Sequence, residues 1–120
     1  MLRYAVAVTA AIVLGSGFSR AQPAPCDPHA PPTDAQVARR RAAIAGARQI
    51  NTAEAKVWAA NKRFAALQEL TGLSIPAGFE AQVSTDGTSY TFSIKDLQDS
   101  CKFAVFSDQK GLIYTATPLQ

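Results

Sequence analysis

The spacing of apolar residues changes from a helical to a strand pattern near residue 72, and this change constrains the fold more than any motif. From Ile50 to Leu67, apolar residues recur every three or four positions, as they do on one face of a helix. In segments 79–83 and 90–94 they alternate with polar residues, which is typical of half-buried strands. The order of the two patterns predicts an α+β domain in which a helix covers one face of a sheet.

One long helix is predicted from Asp34 to about Ala60. Thr33 with Gln36 three residues later fits a capping box at its start. Gly46 is the one interruption, and we expect it to mark a bend or a close contact. The apolar stripe fades toward the N-terminus, where arginines cluster. We therefore expect the C-terminal half of the helix to pack on the sheet and the first two or three turns to protrude.

Four strands are predicted after the helix. Asp86-Gly87 indicates a two-residue hairpin turn of the primed type between the first two strands. The segment from Phe103 to Phe106 is apolar on both faces, which favours an interior strand. A tight turn at 108–111 precedes a last strand from Leu112 to Thr117. The prediction is one long N-terminal helix packed on a four-stranded antiparallel β-meander, within a single domain at 34–120.

The N-terminal 21 residues have the three parts of a secretory signal peptide. Arg3 supplies a positive charge, and the run from Tyr4 to Phe18 contains no charge. Small residues in Ser19-Arg20-Ala21 suit cleavage after Ala21, and a proline-rich spacer at 22–33 follows. The apolar run is shorter than the ~20 residues that span a bilayer. We expect an exported protein, periplasmic or extracellular, without stable membrane insertion after signal removal; an uncleaved anchor is the alternative.

Export changes how the charge is interpreted. The full chain carries a formal net charge of +3, but Arg3 and Arg20 leave with the signal, so the remaining chain is near +1. Net charge therefore gives no argument for nucleic-acid binding, and no nucleic acid is expected as a partner. The basic residues in and just after the helix could meet an anionic surface such as DNA or lipid head groups, although an exposed helix made soluble by arginine is the simpler interpretation. These residues are Arg39, Arg40, Arg41, Arg48, Lys56, Lys62 and Arg63.

The two cysteines, Cys26 and Cys101, are candidates for a disulfide. An even number of cysteines in an oxidising compartment usually pairs. Two reduced thiols or intermolecular pairing are the alternatives. The Cys-x-x-Cys spacing of thiol oxidoreductases is absent from the sequence.

Several segments resemble the head of a type IV pilin or of a type II secretion pseudopilin. Residues 48–54 are similar to the end of the long pilin helix, and segments 84–92, 101–108 and 111–115 are similar to the pilin sheet. The resemblance covers roughly residues 42 to 120 and implies a pilin-like α+β head. One departure is clear, because Gly17-Phe18 stands at the end of the apolar run, whereas in pilins this pair precedes the apolar helix. The hydrophobic stem that holds pilins in a filament is therefore expected to be lacking.

Few residues suggest catalysis or metal binding. His29 is the only histidine and lies in the proline-rich spacer, so neither a histidine-dependent triad nor a zinc site is expected. Asp96, Asp99 and Asp108 fall in predicted loops that could meet at one end of the sheet. Some pseudopilins bind calcium in a sheet loop, and the resemblance raises that possibility for these aspartates.

These observations predict a non-enzymatic, exported, pilin-like protein that acts through protein–protein interaction in the bacterial envelope. Its partners would be other envelope proteins, or components of a type IV pilus or type II secretion system. The alternative is a small soluble ligand- or calcium-binding module that uses the end of the sheet containing Asp96 and Asp108. No catalytic residue and no cofactor are assigned.

Overall fold

The structure is a computed structural model that describes residues 25–117. Its elements are helix α1 and four strands: α1 (Asp34–Asn61), β1 (Phe79–Thr85), β2 (Tyr90–Asp96), β3 (Ala104–Asp108) and β4 (Tyr114–Ala116). The strands form one antiparallel sheet in the order β1-β2-β3-β4. The predicted long helix on a four-stranded antiparallel meander is confirmed. The predicted signal peptide at 1–21, the start of the spacer and residues 118–120 lie outside the described residues.

Helix α1 begins and ends where the sequence predicted. The Thr33 hydroxyl accepts a hydrogen bond from the Gln36 backbone N–H, and the Gln36 side chain accepts one from the Thr33 N–H, which completes the capping box. At the other end, Lys62 adopts a left-handed conformation, and its N–H donates to the Trp58 carbonyl. These caps satisfy backbone groups that the helix itself leaves unpaired.

The packed face of α1 is the predicted one, but its extent along the helix differs. Ile50 and Ala53 of the predicted stripe are buried and Val57 packs on the core, whereas Trp58 and the three residues after it are exposed. The packed region is centred on the middle turns, and the expectation that the first turns protrude is wrong, since Arg39 and Arg40 contact the end of β2 and the β2–β3 loop. The physical reason is side-chain size, because small residues let the helix approach the sheet closely. The buried residues of α1 are Ala43, Gly46, Ala47, Ile50, Ala53 and Glu54.

Gly46 marks the closest approach of α1 to the sheet, and the helix continues through it unbroken. A Cβ added there would lie 3.2 Å from Cδ1 of Ile94, which is fully buried in β2. We expected Gly46 to mark either a bend or a close contact, and the structure shows a close contact.

The core lies between α1 and the central strands of the sheet. Phe92 and Ile94 of β2 and Val105 of β3 are buried against the helix. The edge strand β1 is covered by the segment after the helix, which includes a short 3-10 turn at Leu67–Glu69. Strand β3 has partners on both sides, so its predicted interior position is confirmed.

The first hairpin has a four-residue loop, and the predicted two-residue turn is wrong. Thr85 pairs with Tyr90, which leaves 86–89 as the loop. Oδ1 of Asp86 accepts hydrogen bonds from the backbone N–H groups of Ser89 and Thr88 and from both hydroxyls. These bonds lower the pKa of Asp86 to about 2. The side chain of Asp86 therefore organises a wider turn than the Asp-Gly pair alone suggests.

The second turn follows β3, as predicted. The Gly111 N–H donates to the Asp108 carbonyl at 2.8 Å, and Gly111 has a φ of 76°. Strand β4 is shorter than the predicted segment from Leu112 to Thr117. The Leu112 carbonyl accepts a hydrogen bond from the Ser107 hydroxyl at 2.7 Å, which holds Leu112 outside the strand ladder.

Candidate functional site: the open face of the sheet

The predicted disulfide between Cys26 and Cys101 is present. Their Cα atoms lie 4.7 Å apart, although 75 positions separate them in sequence. The bond joins the segment before α1 to the loop between β2 and β3. It therefore fastens the start of the described chain to one end of the sheet.

The three aspartates considered for calcium do not lie together. Asp96 and Asp99 are at one end of the sheet, at the end of β2 and in the loop that precedes β3. Asp108 is at the opposite end, because it pairs with Thr91 near the start of β2. Within residues 25–117, no group of three His, Cys, Asp or Glu side chains is placed to hold a metal ion. The expectation that these loops meet at one end is wrong.

The carboxylate of Asp96 binds an arginine of the helix. Arg39 donates to it from Nε at 2.8 Å and from Nη2 at 2.7 Å, while Asp96 itself is buried. Burial by itself would raise the pKa of Asp96, but the hydrogen bonds from Arg39 and from the Gln98 N–H outweigh it, and the pKa is lowered. The same contact raises the pKa of Arg39. Arg39 also lies over the ring of Phe79, 4.4 Å from its centroid.

A second arginine approaches the same loop without forming a hydrogen bond. Nε of Arg40 lies 3.7 Å from Oδ2 of Asp99, and neither atom has a hydrogen-bond partner in the described structure. The other oxygen of Asp99 accepts the Cys101 N–H at 2.8 Å. The arginine cluster predicted for an anionic surface is thus divided, since Arg39 and Arg40 hold the helix to the β2–β3 loop.

A chain of polar groups crosses the core from the sheet to the helix. The Tyr90 hydroxyl donates to Oδ1 of Asn51 at 2.7 Å, and Nδ2 of Asn51 donates to the Ser107 hydroxyl at 3.0 Å. The Ser107 hydroxyl in turn donates to the Leu112 carbonyl. Burial raises the pKa of Tyr90 to about 12, and the nearby charge of Glu54 adds to the shift. Each donor in this chain has an acceptor, so the chain fixes α1 against β2 and β3.

Glu54 is fully buried in the face of α1 that packs on the core. Its Oε2 accepts the backbone N–H of Ala65 at 2.9 Å, which fastens the segment after the helix. Its Oε1 has no hydrogen-bond partner among the described residues. Burial raises the pKa of Glu54, and the bond from Ala65 offsets only part of that effect. Nothing in the local sequence singled out this carboxylate.

The face of the sheet opposite α1 carries exposed aromatic side chains. One row of residues paired in register crosses all four strands on this face, and it consists of Gln82, Ser93, Phe106 and Tyr114. Phe106 is 39% exposed and Tyr114 is 56% exposed. Large apolar side chains that remain exposed together are typical of binding surfaces.

A shallow cleft of about 540 Å³ lies over this row. Its aromatic lining is formed by Phe106 and Tyr114, and its polar lining by hydroxyl and amide side chains and the carboxylate of Asp108. Aromatic rings beside hydrogen-bonding groups can bury apolar area while keeping polar partners satisfied. The side chains that line the cleft on this face are Gln82, Ser84, Thr91, Ser93, Phe106, Asp108 and Tyr114. We call this surface the open face.

His29, considered from the sequence, and Trp58, the one tryptophan of the chain, both lie away from the open face. His29 is exposed in the segment before α1, where its backbone N–H donates to the Asp27 side chain. Trp58 is 36% exposed and stacks on Phe64 at the edge of the core, with ring centroids 4.6 Å apart. The sequence predicted Tyr114 as an ordinary sheet residue and Phe106 as part of an interior strand. It gave no sign that the two rings share the uncovered face.

In the part of the chain that the structure describes, none of the helices has the length and apolar character needed to cross a bilayer. Comparison with protein-family models, with curated proteins and with solved structures gives no match to this chain. The resemblance to pilin and pseudopilin heads therefore stays a prediction, and the contacts of this molecule are what bear on its function.

Proposed function

We propose that this chain is an exported, non-enzymatic, pilin-like protein that binds another protein of the bacterial envelope through the open face of its sheet. The observation that carries the proposal is the exposed pair Phe106 and Tyr114 on a face that α1 leaves uncovered. The partner would be a pilus or secretion-system component, or another envelope protein. It would place an apolar side chain against the two rings and hydrogen-bonding groups against Gln82 and Ser93.

Two further observations support a binding role outside the cytoplasm. The Cys26–Cys101 disulfide is the kind of bond that persists in an oxidising compartment. The only histidine of the chain, His29, is exposed in the segment before α1, far along the chain from the cleft residues. The cleft combines two aromatic rings with hydroxyl and amide side chains and one carboxylate, Asp108, a mixture that suits recognition of a protein surface.

A photo-crosslinking experiment tests the partner. A benzoylphenylalanine placed at Tyr114, in cells that assemble pili or secretion machinery, should give one discrete adduct with a second protein after irradiation. The matched control carries the same amino acid at Ala59, which is exposed at the end of α1. Equal adducts at both positions, or none at Tyr114, would argue against the open face as the binding surface.

A double variant tests the residues that carry the proposal. Phe106→Ser with Tyr114→Ser should abolish co-purification with the crosslinked partner, and circular dichroism at the temperature of the experiment should show that the variant is folded. Intact mass of the exported protein tests the compartment. We expect a chain beginning at Gln22, two hydrogens lighter than its reduced form. A mass that retains residues 1–21 would contradict processing.

A further inference from the structure

A second groove, of about 410 Å³, lies on the helix side of the molecule. One wall is α1, which contributes Arg48, Thr52 and Lys56. The facing wall is the segment at Thr71, and Val57 contributes an apolar surface. No acidic side chain is among the described residues that line this groove.

Within residues 25–117, the side chains of the two cations in this groove are unpaired, unlike the arginines near the start of α1 and just after its end. Arg39 binds Asp96, Arg40 approaches Asp99, and Arg63 binds Glu69. Among the described residues, neither Arg48 nor Lys56 has an ion pair or a hydrogen bond. Their positive charges are therefore available to an external anion, together with the hydroxyls of Thr52 and Thr71.

The spacing of these residues selects among anionic ligands. Arg48, Thr52 and Lys56 recur at intervals of four, so they lie on one face of α1, and the Cα atoms of Arg48 and Lys56 are about 12 Å apart along the axis. In an extended peptide, residues i and i+4 point to the same side and lie about 13 Å apart. Two acidic side chains four residues apart in a peptide therefore match the spacing of Arg48 and Lys56, whereas adjacent acidic side chains point to opposite sides.

We propose that this groove binds an extended acidic peptide segment of a partner protein. Its two carboxylates meet Arg48 and Lys56, and the intervening residues lie along Thr52 and Val57. This site is separate from the open face in both position and chemistry. The open face would bind an apolar surface of a partner, whereas the groove beside α1 would bind a negatively charged extended peptide. The second site does not depend on the proposed function, because different residues carry it.

Titration of the disulfide-bonded chain with capped peptides, followed by backbone NMR shifts at low salt, tests this proposal. The probe is Glu-Ser-Ser-Ser-Glu, compared with Glu-Glu-Ser-Ser-Ser of equal charge and with Gln-Ser-Ser-Ser-Gln. We expect the spaced peptide to bind at least about fivefold more tightly than the adjacent one, because only it spans both cations. The glutamine peptide should not bind, and shifts should centre on 48–57 and 71–72.

Matched variants separate a built site from general charge attraction. Arg48→Gln and Lys56→Gln should each weaken binding at least about fivefold, whereas Arg41→Gln, which removes an exposed charge outside the groove, should change it less than about twofold. The Phe106→Ser/Tyr114→Ser variant should bind the peptide normally. The proposal is overturned if both acidic peptides bind equally, if Arg41→Gln is as damaging, if shifts centre on Ser93 and Phe106, or if no peptide binds.

Discussion

Arg39 and Asp96, 57 positions apart in sequence, are joined by two hydrogen bonds of 2.8 and 2.7 Å between one guanidinium and one carboxylate. This contact ties the second turn of α1 to the last residue of β2. It explains why the arginine-rich start of the helix lies on the molecule instead of extending into solvent.

Replacing Arg39 should destabilise the fold through the partner that it leaves behind. Arg39→Met keeps an apolar stem over Phe79 but leaves the Asp96 carboxylate buried without its cation. Removing one partner of a fully buried pair costs about 3–5 kcal/mol, and 27% of the Arg39 side chain is exposed, so we expect a loss of about 2–3 kcal/mol. Urea unfolding measures it. Arg41→Met, at an exposed position, should change stability by less than about 0.5 kcal/mol.

The same pair predicts a loss of stability in acid. The pKa of Asp96 is lower in the folded chain than in the unfolded one, so the unfolded state binds the proton more readily. The stabilisation is complete above the ordinary aspartate pKa of about 4 and is lost as the pH falls through the lower, folded value. Thermal unfolding between pH 7 and 2 should show this loss, and Arg39→Met should reduce it. An acid response unchanged by Arg39→Met would contradict the assignment.

Glu54 predicts the opposite response. Its pKa is raised by burial, so the folded state binds the proton more readily than the unfolded one. Its contribution to stability should therefore improve as the pH falls from neutrality through the raised value, and level off below the ordinary glutamate pKa of about 4.3. Glu54→Gln keeps an acceptor for the Ala65 N–H and should remove this dependence. Equal pH profiles for both proteins would show that Glu54 does not titrate in this range.

Removing the disulfide should lower the free energy of unfolding. The bond closes a loop of 75 positions, for which the chain-entropy estimate is about 4 kcal/mol. Cys26→Ser with Cys101→Ser should lose up to that amount in urea unfolding. Reduction of the wild-type chain should give the same midpoint as the double variant. A midpoint that reduction leaves unchanged would show that the bond contributes nothing measurable.

The polar chain through Asn51 predicts a smaller effect. Tyr90→Phe removes the hydroxyl that donates to Oδ1 of Asn51 and leaves that oxygen without the bond. We expect a loss of about 1–2 kcal/mol, the cost of a buried acceptor left unsatisfied. Tyr114→Phe is the matched control, because Tyr114 is 56% exposed, and it should be nearly neutral. Comparable losses in the two variants would contradict a special role for the buried bond.

The parts of the fold that depend on neighbouring residues could be predicted from the sequence. The capping box at Thr33, the alternation in β1 and β2, and the turn after Asp108 each depend on groups within a few positions. The loop at Asp86 was mispredicted, even though it too is local. There, side-chain hydrogen bonds to Thr88 and Ser89 widen the turn beyond what the Asp-Gly pair favours.

The extent of the packed face of α1 could not be predicted from apolar spacing alone, because alanine and glycine carry little hydropathy signal, although Ile50 and Ala53 of the predicted stripe are buried. Gly46, flanked by Ala43, Ala47 and Ile50 at helical spacing, was the available clue to a close helix–sheet contact. The pairing of Arg39 with Asp96 and the shared exposure of Phe106 and Tyr114 arise only from the strand order and from where α1 lies. A pattern of neighbouring residues in the sequence indicates neither the strand order nor the position of α1 on the sheet.

The bond between Cys26 and Cys101 also divides the elements of the fold into two groups. Helix α1 and strands β1 and β2 lie between the two cysteines in the chain, so the bond encloses them in one covalent loop and leaves β3 and β4 outside it. With two cysteines in the whole sequence, no other pairing within one chain can compete with this bond.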